Sequence, residues 1–423
     1  MAQANAVATM TGLFTEQYAK KQGFLVPKVA KISSRSKFRI ADKLGNLFHY
    51  PVYVAEEQGH TYASDGGATT LNASVAGVNL DAQVQGRQIF SRAQISYTAA
   101  TRVLGGTVSF VDATKDTMMK LYEAHSRRRE FVALYGQAPI ASTSEVTGSS
   151  TTGTFTVTAA TWSPGIWRGA VGRTLDIYAT TSTASPTNTN AAFIVTSVNF
   201  STRVVTGTIS SSDAAGLDAL TTAVVYFRGA KTGASSYADA AGLDTIITNT
   251  GTLFNIDAGT YDLWKGNTYS AGSAALNMQK IQAALADPVY AGLDSDVVCI
   301  LSPRTWTDVM TDLAALRMFD GSYTPSKAEN GAENIVFHGQ NGKIEFVPHI
   351  LCKEGEAFLG PLDDDMLTIG STDVTSMIPG TKEPMFLHVP DTGAYEIRCM
   401  SDTAPLLLHP AWWSKITNIT NTT

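Results

Sequence analysis

Val297-Val298-Cys299-Ile300-Leu301-Ser302-Pro303-Arg304-Thr305-Trp306 joins five apolar residues directly to a serine, a proline and a helical pattern. It reads as a buried strand feeding a capped helix. Ser302 is placed to accept from the first free amides, and Pro303 suits the first turn because its missing N–H costs nothing there. Trp306, Val309, Met310, Leu313 and Leu316 then recur at helical spacing. Strand-to-helix elbows of enzymes and nucleotide-binding domains carry glycines, a nucleophile or a phosphate-gripping lysine. Every residue at this one builds structure, which points toward architecture rather than chemistry.

The rest of the chain extends that reading. Its 423 residues suffice for two or three compact units, since single cores stop growing at roughly 250–300 residues. Charged residues make up 16% of the chain and apolar residues 44%; an ordinary soluble domain is about 25% charged. Thr, Ser, Ala, Gly and Asn fill the deficit. Such a surface suits a protein covered by neighbouring subunits, because each buried charge needs a partner; a secreted β-protein has a similar composition. Cys299, Cys352 and Cys399 are odd in number and widely spaced, fitting neither a disulfide framework nor a zinc site, and they read as buried thiols in a reducing compartment. Met1 to Thr11 lacks the basic and apolar regions of a signal peptide, and no run of about 18 apolar residues occurs, so a cytosolic chain without a membrane partner is expected.

Several segments differ sharply in character. After an apolar pattern at Leu13, Phe14 and Tyr18 comes a basic run: Lys20, Lys21, Lys28, Lys31, Arg35, Lys37, Arg39 and Lys43 against Asp42 alone. That run carries +7, which leaves −13 on the remainder of a chain whose total is −6. Phosphate binding is one reading of this arm; docking along acidic neighbours, or plain solvation, is the other. From Tyr50 to Thr101, strand-like pieces (Pro51–Val54, Ile89-Phe90, Gln94–Tyr97) flank a Gly, Ala, Thr and Asn-rich middle containing Gly66-Gly67. This reads as a long two-stranded excursion, which needs a surface to lie on because an isolated ribbon is marginal in water.

Asp112 to Tyr135 predicts a long helix capped by Asp112, with Met118, Leu121, Tyr122, His125 and Val132 on one face. Arg127-Arg128-Arg129-Glu130 falls in its last turns, where cations complement the helix dipole; the cluster reads either as a solvated face or as a contact to a subunit or nucleic acid. Between Glu145 and Gly229, about five short Thr- and Val-rich strands suggest a small all-β barrel or sandwich able to fold by itself. A helix near Ala274 to Ala286 comes next, and the Asn341-Gly342 turn separates Ile335–His338 from Ile344–Val347 as a hairpin. Met385–Val389, Tyr395–Met400 and an apolar tail at Trp412-Trp413 close the chain.

Motifs for chemistry are missing. The seven histidines form no metallohydrolase pair, and Asp363-Asp364-Asp365 lacks the spacing of a calcium loop. That acidic run reads as a solvated turn, with weak cation binding as the alternative. No P-loop, Rossmann glycines or nucleophile elbow occur. The sequons at Asn418 and Asn421 arise readily in a Thr-rich tail and would not be used in a cytosolic protein.

The order of parts resembles the major capsid proteins of tailed bacteriophages, which share the Hong Kong 97-like fold. Gly292–Cys299 leading into Ser302–Trp306, then Phe319-Asp320-Gly321-Ser322 and Ala328-Glu329-Asn330-Gly331-Ala332-Glu333, are similar to the axial domain of such subunits. The resemblance implies an α+β chain in six parts: 1–49 N-terminal arm, 50–101 extended loop, 102–144 peripheral domain with a spine helix, 145–230 inserted all-β domain, 231–360 axial domain, and 361–423 strands returning to the peripheral domain. It implies hexamers and pentamers that close an icosahedral head around double-stranded DNA, bound without sequence preference, in a virion assembled in the bacterial cytoplasm. A portal and a separate scaffolding protein are expected partners, because a long charged helical extension is missing at the start of the chain; a decoration protein is a further candidate. Assembly contacts are assigned to Tyr53, Gly66, Gly67, Arg87 and Arg92, and to Arg127, Arg128, Arg129 and Glu130. An inner-surface basic arm is assigned to Lys20, Lys21, Lys28, Lys31, Arg35, Lys37 and Arg39. No catalytic, cofactor or metal site is expected. A nanocompartment shell of the same fold is the nearest alternative; a β-rich surface adhesin would require an export signal.

Overall fold

The computed structural model describes residues 30–40, 47–98 except 65 and 67, 113–311, 336–378 except 341, and 386–422 except 391. Four strands come first: β1 (Lys37–Ile40), β2 (Phe48–Ala55), β3 (Val78–Val84) and β4 (Arg87–Ser96). β2 and β3 form an antiparallel ribbon, from Phe48 opposite Val84 to Ala55 opposite Val78. The returning strand is therefore Val78–Val84, whereas Ile89, Phe90 and Gln94–Ser96 leave the ribbon and pair within a larger sheet. Alternation explains the change: on β4, Ile89, Ser91, Ala93 and Ile95 are the less exposed residues, so a full strand length packs against the body.

The long helix Ala113–Tyr135 supplies that packing. Its Leu121 meets Ile95, Ile397 and Cys399. His125 is fully buried between the hydroxyls of Ser91 (2.9 Å) and Ser401 (2.8 Å). The expected cap, Asp112, lies outside the described residues. At the other end, Gly136 lets the chain pass against a second backbone: a Cβ there would run into the carbonyl of Ala240. Gln137, at φ 66°, then turns the chain away from the helix axis.

Beyond this turn, six strands close into a barrel: β5 (Ala141–Ser149), β6 (Thr152–Val157), β7 (Thr174–Tyr178), β8 (Phe193–Asn199), β9 (Val204–Thr208) and β10 (Val224–Phe227). Alternate residues fill it, among them Val146, Phe155, Val157, Leu175, Ile177, Phe193 and Val205. Gly153 and Gly207 pair across β6 and β9 and leave room for the Phe193 ring. The barrel shares its core with the rest of the molecule. Its interior is continuous with Phe131 and Leu134 of the long helix and with Val298, Phe358 and Trp413 of the body. A helix, Ser211–Asp218, also lies within this region, capped by Ser210.

Past a short hairpin, β11 (Thr252–Leu253) with β12 (Ile256–Asp257), the chain enters a six-stranded sheet. Its members are β13 (Asn267–Ala274), β14 (Val297–Leu301), β15 (Val336–His338), β16 (Lys343–Pro348), β17 (Ala357–Gly360) and a late strand, β21 (Ser414–Ile419), in the order β13-β21-β17-β14-β16-β15. All five residues of β14 are buried at its centre. The helix Pro303–Thr311 comes directly after β14, with the Thr305 amide donating to Ser302 Oγ at 3.2 Å. Leu313 and Leu316 lie outside the described residues. The preceding helix runs over Met278–Tyr290 rather than from Ala274, because Asn277 caps it and Asn267–Ala274 is held as a strand by β21. β15 and β16 form the Asn-Gly hairpin, Asn341 itself being undescribed.

β18 (Met366–Thr375), β19 (Phe386–His388) and β20 (Ala394–Leu407) complete the sheet that holds β4, and β1 runs parallel to β18 at its edge. The tail does not return wholly to this sheet, as the resemblance implies it should: β21 crosses to the other one, parallel to β13 and antiparallel to β17. Trp413 fixes the crossing, fully buried with its Nε1 donating to Asp365 Oδ2 at 2.7 Å. Asp365 is accordingly no solvated turn residue; it also accepts from His409 N at 3.0 Å. Among the described residues no three His, Cys, Asp or Glu side chains gather as a metal site, and no helix is long and apolar enough to cross a membrane.

Candidate assembly surfaces

The base of the β2–β3 ribbon is buried, with Ala82 and Val84 packed among Val132, Trp264, Leu367 and Leu406. Its far part is the opposite. Tyr62 is 94% exposed, Leu71 80% and Val75 56%. Among the described residues a bridge from Gln58 to Val75 and two bonds from Asn72, its amide to Thr61 Oγ1 at 2.8 Å and its side chain to His60 O at 2.9 Å, tie its two sides together. Tyr53 is exposed and its hydroxyl accepts from the Glu57 amide at 2.9 Å. Gly66 sits exposed at φ 87°, and Gly67 lies outside the described residues. Arg87 and Arg92 project from β4, Arg92 lying 3.8 Å from Glu396. Residues 44–86 contain Glu56, Glu57, Asp65 and Asp81 and no lysine or arginine, so the ribbon is acidic as well as exposed.

In the basic arm, Lys20, Lys21 and Lys28 are undescribed, and Lys37 and Arg39 stand on β1 with undescribed side chains. Lys31 Nζ donates to Pro348 O at 2.9 Å. Arg35 is paired with Asp363 and with Glu345 (2.9 Å), so its charge is already neutralised within the chain. The carboxylate that fastens the arm is Glu130. Fully buried, it accepts from the amides of Ile32 (2.6 Å) and Ser33 (3.0 Å) and lies 3.0 Å from His349 Nε2. Burial opposes its ionisation, but the His349 contact and the two amides outweigh that and bring the carboxyl down to about 2. Glu130 thus ties the arm, the long helix and the segment after β16 together.

Its neighbours are not a solvated face either. No basic residue stands in the last helical turn; the cations are held sideways. Arg129 pairs with Asp373. Arg127 donates to the carbonyls of Gly165 and Arg168. The guanidinium of Arg128 lies 3.1 Å from the centre of the Phe227 ring, and that of Arg173 lies 5.6 Å from the same ring while donating to Ile166 O at 2.7 Å. Arg127, Arg128, Arg173 and Phe227 line a cleft of about 810 Å³ between β4, the long helix and the barrel. Five cations face it (Lys120, Arg127, Arg128, Arg173, Arg228) against two acids, Glu123 and Asp239. Burial, and after it the charge of a neighbouring arginine, lowers Arg128 to about 9 and Arg173 to about 10; burial likewise raises Asp239 to about 6. Arg173 and Arg228 carry no signal in the sequence, because isolated arginines in a β-rich segment read as surface.

Neither a protein-family model nor a curated protein matches the chain. Solved structures do. A chain of the cyanophage A-1(L) capsid asymmetric unit aligns over 99% of this chain and 100% of its own at 12% identity and a TM-score of 0.57. The capsid of a native GTA particle aligns over 99% and 100% at 11% identity and 0.51, and a structure of Mycobacterium phage Bobi over 98% and 99% at 8% and 0.51. The chain has the fold of tailed-phage major capsid proteins, the Hong Kong 97-like fold.

Proposed function

We propose that this chain is the structural subunit of a phage head. Copies form hexamers and pentamers that close into an icosahedral shell around double-stranded DNA. The observation that carries the reading is the ribbon: residues 56–77 expose Tyr62, Leu71 and Val75, and none of the described residues among them belongs to a buried core. Two strands with open edges are marginal in water unless another surface covers them. In the assembled head each subunit lays its ribbon on one neighbour and its basic arm under another. Many modest contacts then sum to a closed shell while each stays weak enough to be corrected during assembly. The barrel is an insertion into the minimal fold. With −13 outside the basic run, contact with DNA is nonspecific and salt-sensitive. A portal, a scaffolding protein and a decoration protein complete the set of partners. The head assembles in the bacterial cytoplasm and persists as the virion capsid.

Size-exclusion chromatography with electron microscopy of the expressed chain tests this. Closed particles or capsomers are expected, and nuclease-protected double-stranded DNA in particles from infected cells distinguishes a genome-carrying head from a protein-cargo shell. A monomer that stays monomeric at high concentration, with its ribbon protected from proteolysis, would refute the reading.

A further inference from the structure

Lys415 is a buried amine that the assembly of a shell does not call for. It stands on β21 opposite Phe358 of β17, and its Nζ lies between two carboxylates. Asp244, from the short helix Leu243–Ile247, accepts from Nζ in close contact, and Glu356, just before β17, accepts at 2.9 Å. The three side chains are nearly closed from solvent. Their surroundings are apolar: Leu243 and Phe358 are fully buried, and the Phe358 ring centre lies 5.8 Å from Nζ. Burial opposes the charge on Lys415, but Glu356 and Asp244 outweigh it and hold the amine ionised. A resting ion pair in such a place is costly, and apolar residues of similar volume would fasten the strand to the helix as well. Glu356 Oε2 is also buried and finds no hydrogen-bond partner among the described residues. An amine touching one carboxyl, beside a second carboxyl with a free oxygen, is the set of groups that condensation to an amide requires.

We propose that Lys415 and Asp244 join as an isopeptide bond within one chain, with Glu356 as the proton carrier. Nζ gives one proton to the Asp244 carboxylate it touches, a transfer that burial favours because the neutral pair needs no hydration. The freed lone pair attacks Asp244 Cγ and the C–N bond forms. Glu356 takes a second proton from Nζ and delivers it to the hydroxyl on Cγ, which leaves as water when the C–O bond breaks. An ammonium and a carboxylate thus become one amide and one water, and no oxidant or co-reactant enters the balance. Groups held in contact react with effective molarities of roughly 10⁵–10⁸ M, which offsets the reluctance of free amines and acids to condense in water. Asp244 is the acyl partner because its contact with Nζ is the closer, while Glu356 keeps an oxygen free. The bond would tie β21, the strand that crosses between the two sheets, to the segment that follows the barrel. It closes the chain from Asp244 to Lys415 into a covalent loop, and a loop this long takes much freedom from the unfolded chain. A permanent buried ion pair is the competing state.

Mass spectrometry of the purified full chain under denaturing conditions is the test. The unaltered chain is expected to weigh one water less than its sequence requires. Trypsin should leave it uncut after Lys415 and release a branched peptide joining residues 232–265 to residues 399–423. Lys415→Arg keeps the charge and Asp244→Ala removes the acyl group; both are expected to give linear peptides and no loss of water. Glu356→Gln keeps the shape of the carrier without its basicity and is expected to slow linkage about 100-fold, followed as the rise of the branched peptide after refolding. Full mass and linear peptides from the unaltered chain would overturn the bond and leave the ion pair. That measurement needs no variant, so a substitution that fails to fold cannot hide the answer. A branch on Glu356 in place of Asp244, or linkage at the unaltered rate in Glu356→Gln, would overturn the roles assigned to the two carboxyls. The bond lies within one subunit, so each of these outcomes is independent of whether copies assemble.

Discussion

The ribbon Phe48–Val84 and the barrel Ala141–Phe227 are built from similar material, short antiparallel strands poor in charge and rich in Ala, Gly, Thr and Val. Their fates are opposite. In the barrel six strands close on themselves, every edge is paired, and inward side chains such as Phe155 and Phe193 are about 1% exposed. In the ribbon two strands form a two-stranded sheet, fastened to the body where Gln83 N donates to Phe254 O at 3.0 Å, and beyond Ala55 the chain keeps Tyr62 and Leu71 in solvent. Closure, rather than composition, makes a β-segment sufficient for its own stability. What the ribbon lacks must come from elsewhere.

The largest effect separating the two regions is a core deletion. Phe155→Ala removes a fully buried ring that touches Trp167 and Phe193. It is expected to cost about 3–5 kcal/mol of subunit stability, read as a lowered urea midpoint. Because the barrel interior continues into the body through Phe131 and Trp413, a single transition is expected. A separate early barrel transition, with the body left folded, would show that the two cores are independent after all.

Next in size is acid sensitivity at the ribbon's root. His125 joins Ser91 of β4 to Ser401 of β20, and burial, followed by the charges of Arg129 and Arg128, holds its imidazole at about 4 against an ordinary 6.5. The folded state therefore refuses a proton that the unfolded chain accepts. With the folded pKa depressed, stability is complete above pH 6.5 and is lost as pH falls through about 4, by about 3 kcal/mol in all. Denaturant melts at stepped pH check this. His125→Gln should flatten that window and leave the acid loss below pH 4.5 that Glu130 contributes, since its carboxyl is also held low, at about 2.

The same contrast explains what is legible in the sequence. Val297–Trp306 announces its strand and capped helix because burial, cap and proline all lie within ten residues, and β14 and Pro303–Thr311 form there. The alternation of the Thr- and Val-rich segment reveals strands, yet not that they share a core with the long helix, which depends on tertiary contacts such as that of Phe131 with Phe227. Ile89–Tyr97 reads as half of the ribbon because a strand pattern does not name its partner; β20 lies some three hundred residues later. Arg127–Glu130 stand out as charge, but their roles are set by Phe227, Asp373 and His349, which only tertiary packing brings near.

A smaller effect is expected from stiffening the ribbon. Gly66 holds φ 87° in open space, so Gly66→Val with Gly67→Val strains the turn by about 1–2 kcal/mol, much of which an exposed loop relaxes. Subunit melting should therefore shift little while particle yield falls. Normal particles in micrographs of this variant would show that the tip's shape is immaterial to assembly.

The smallest effect on the isolated subunit is the most informative about the comparison. Tyr62→Ser with Leu71→Ser removes two large apolar side chains that are 94% and 80% exposed. Among the described residues neither belongs to a core cluster, so stability should stay within about 0.5 kcal/mol of the unaltered chain. In an assembly that buries both, each lost side chain withdraws roughly 1.5–3 kcal/mol from every intersubunit contact, and the concentration needed to form particles should rise by an order of magnitude or more. A barrel variant shows the reverse pattern, with the subunit melting early before any contact is tested. Should Tyr62→Ser/Leu71→Ser assemble at the unaltered concentration, the exposed ribbon would be a solvated loop and the difference between the two β-regions would be one of accident rather than function.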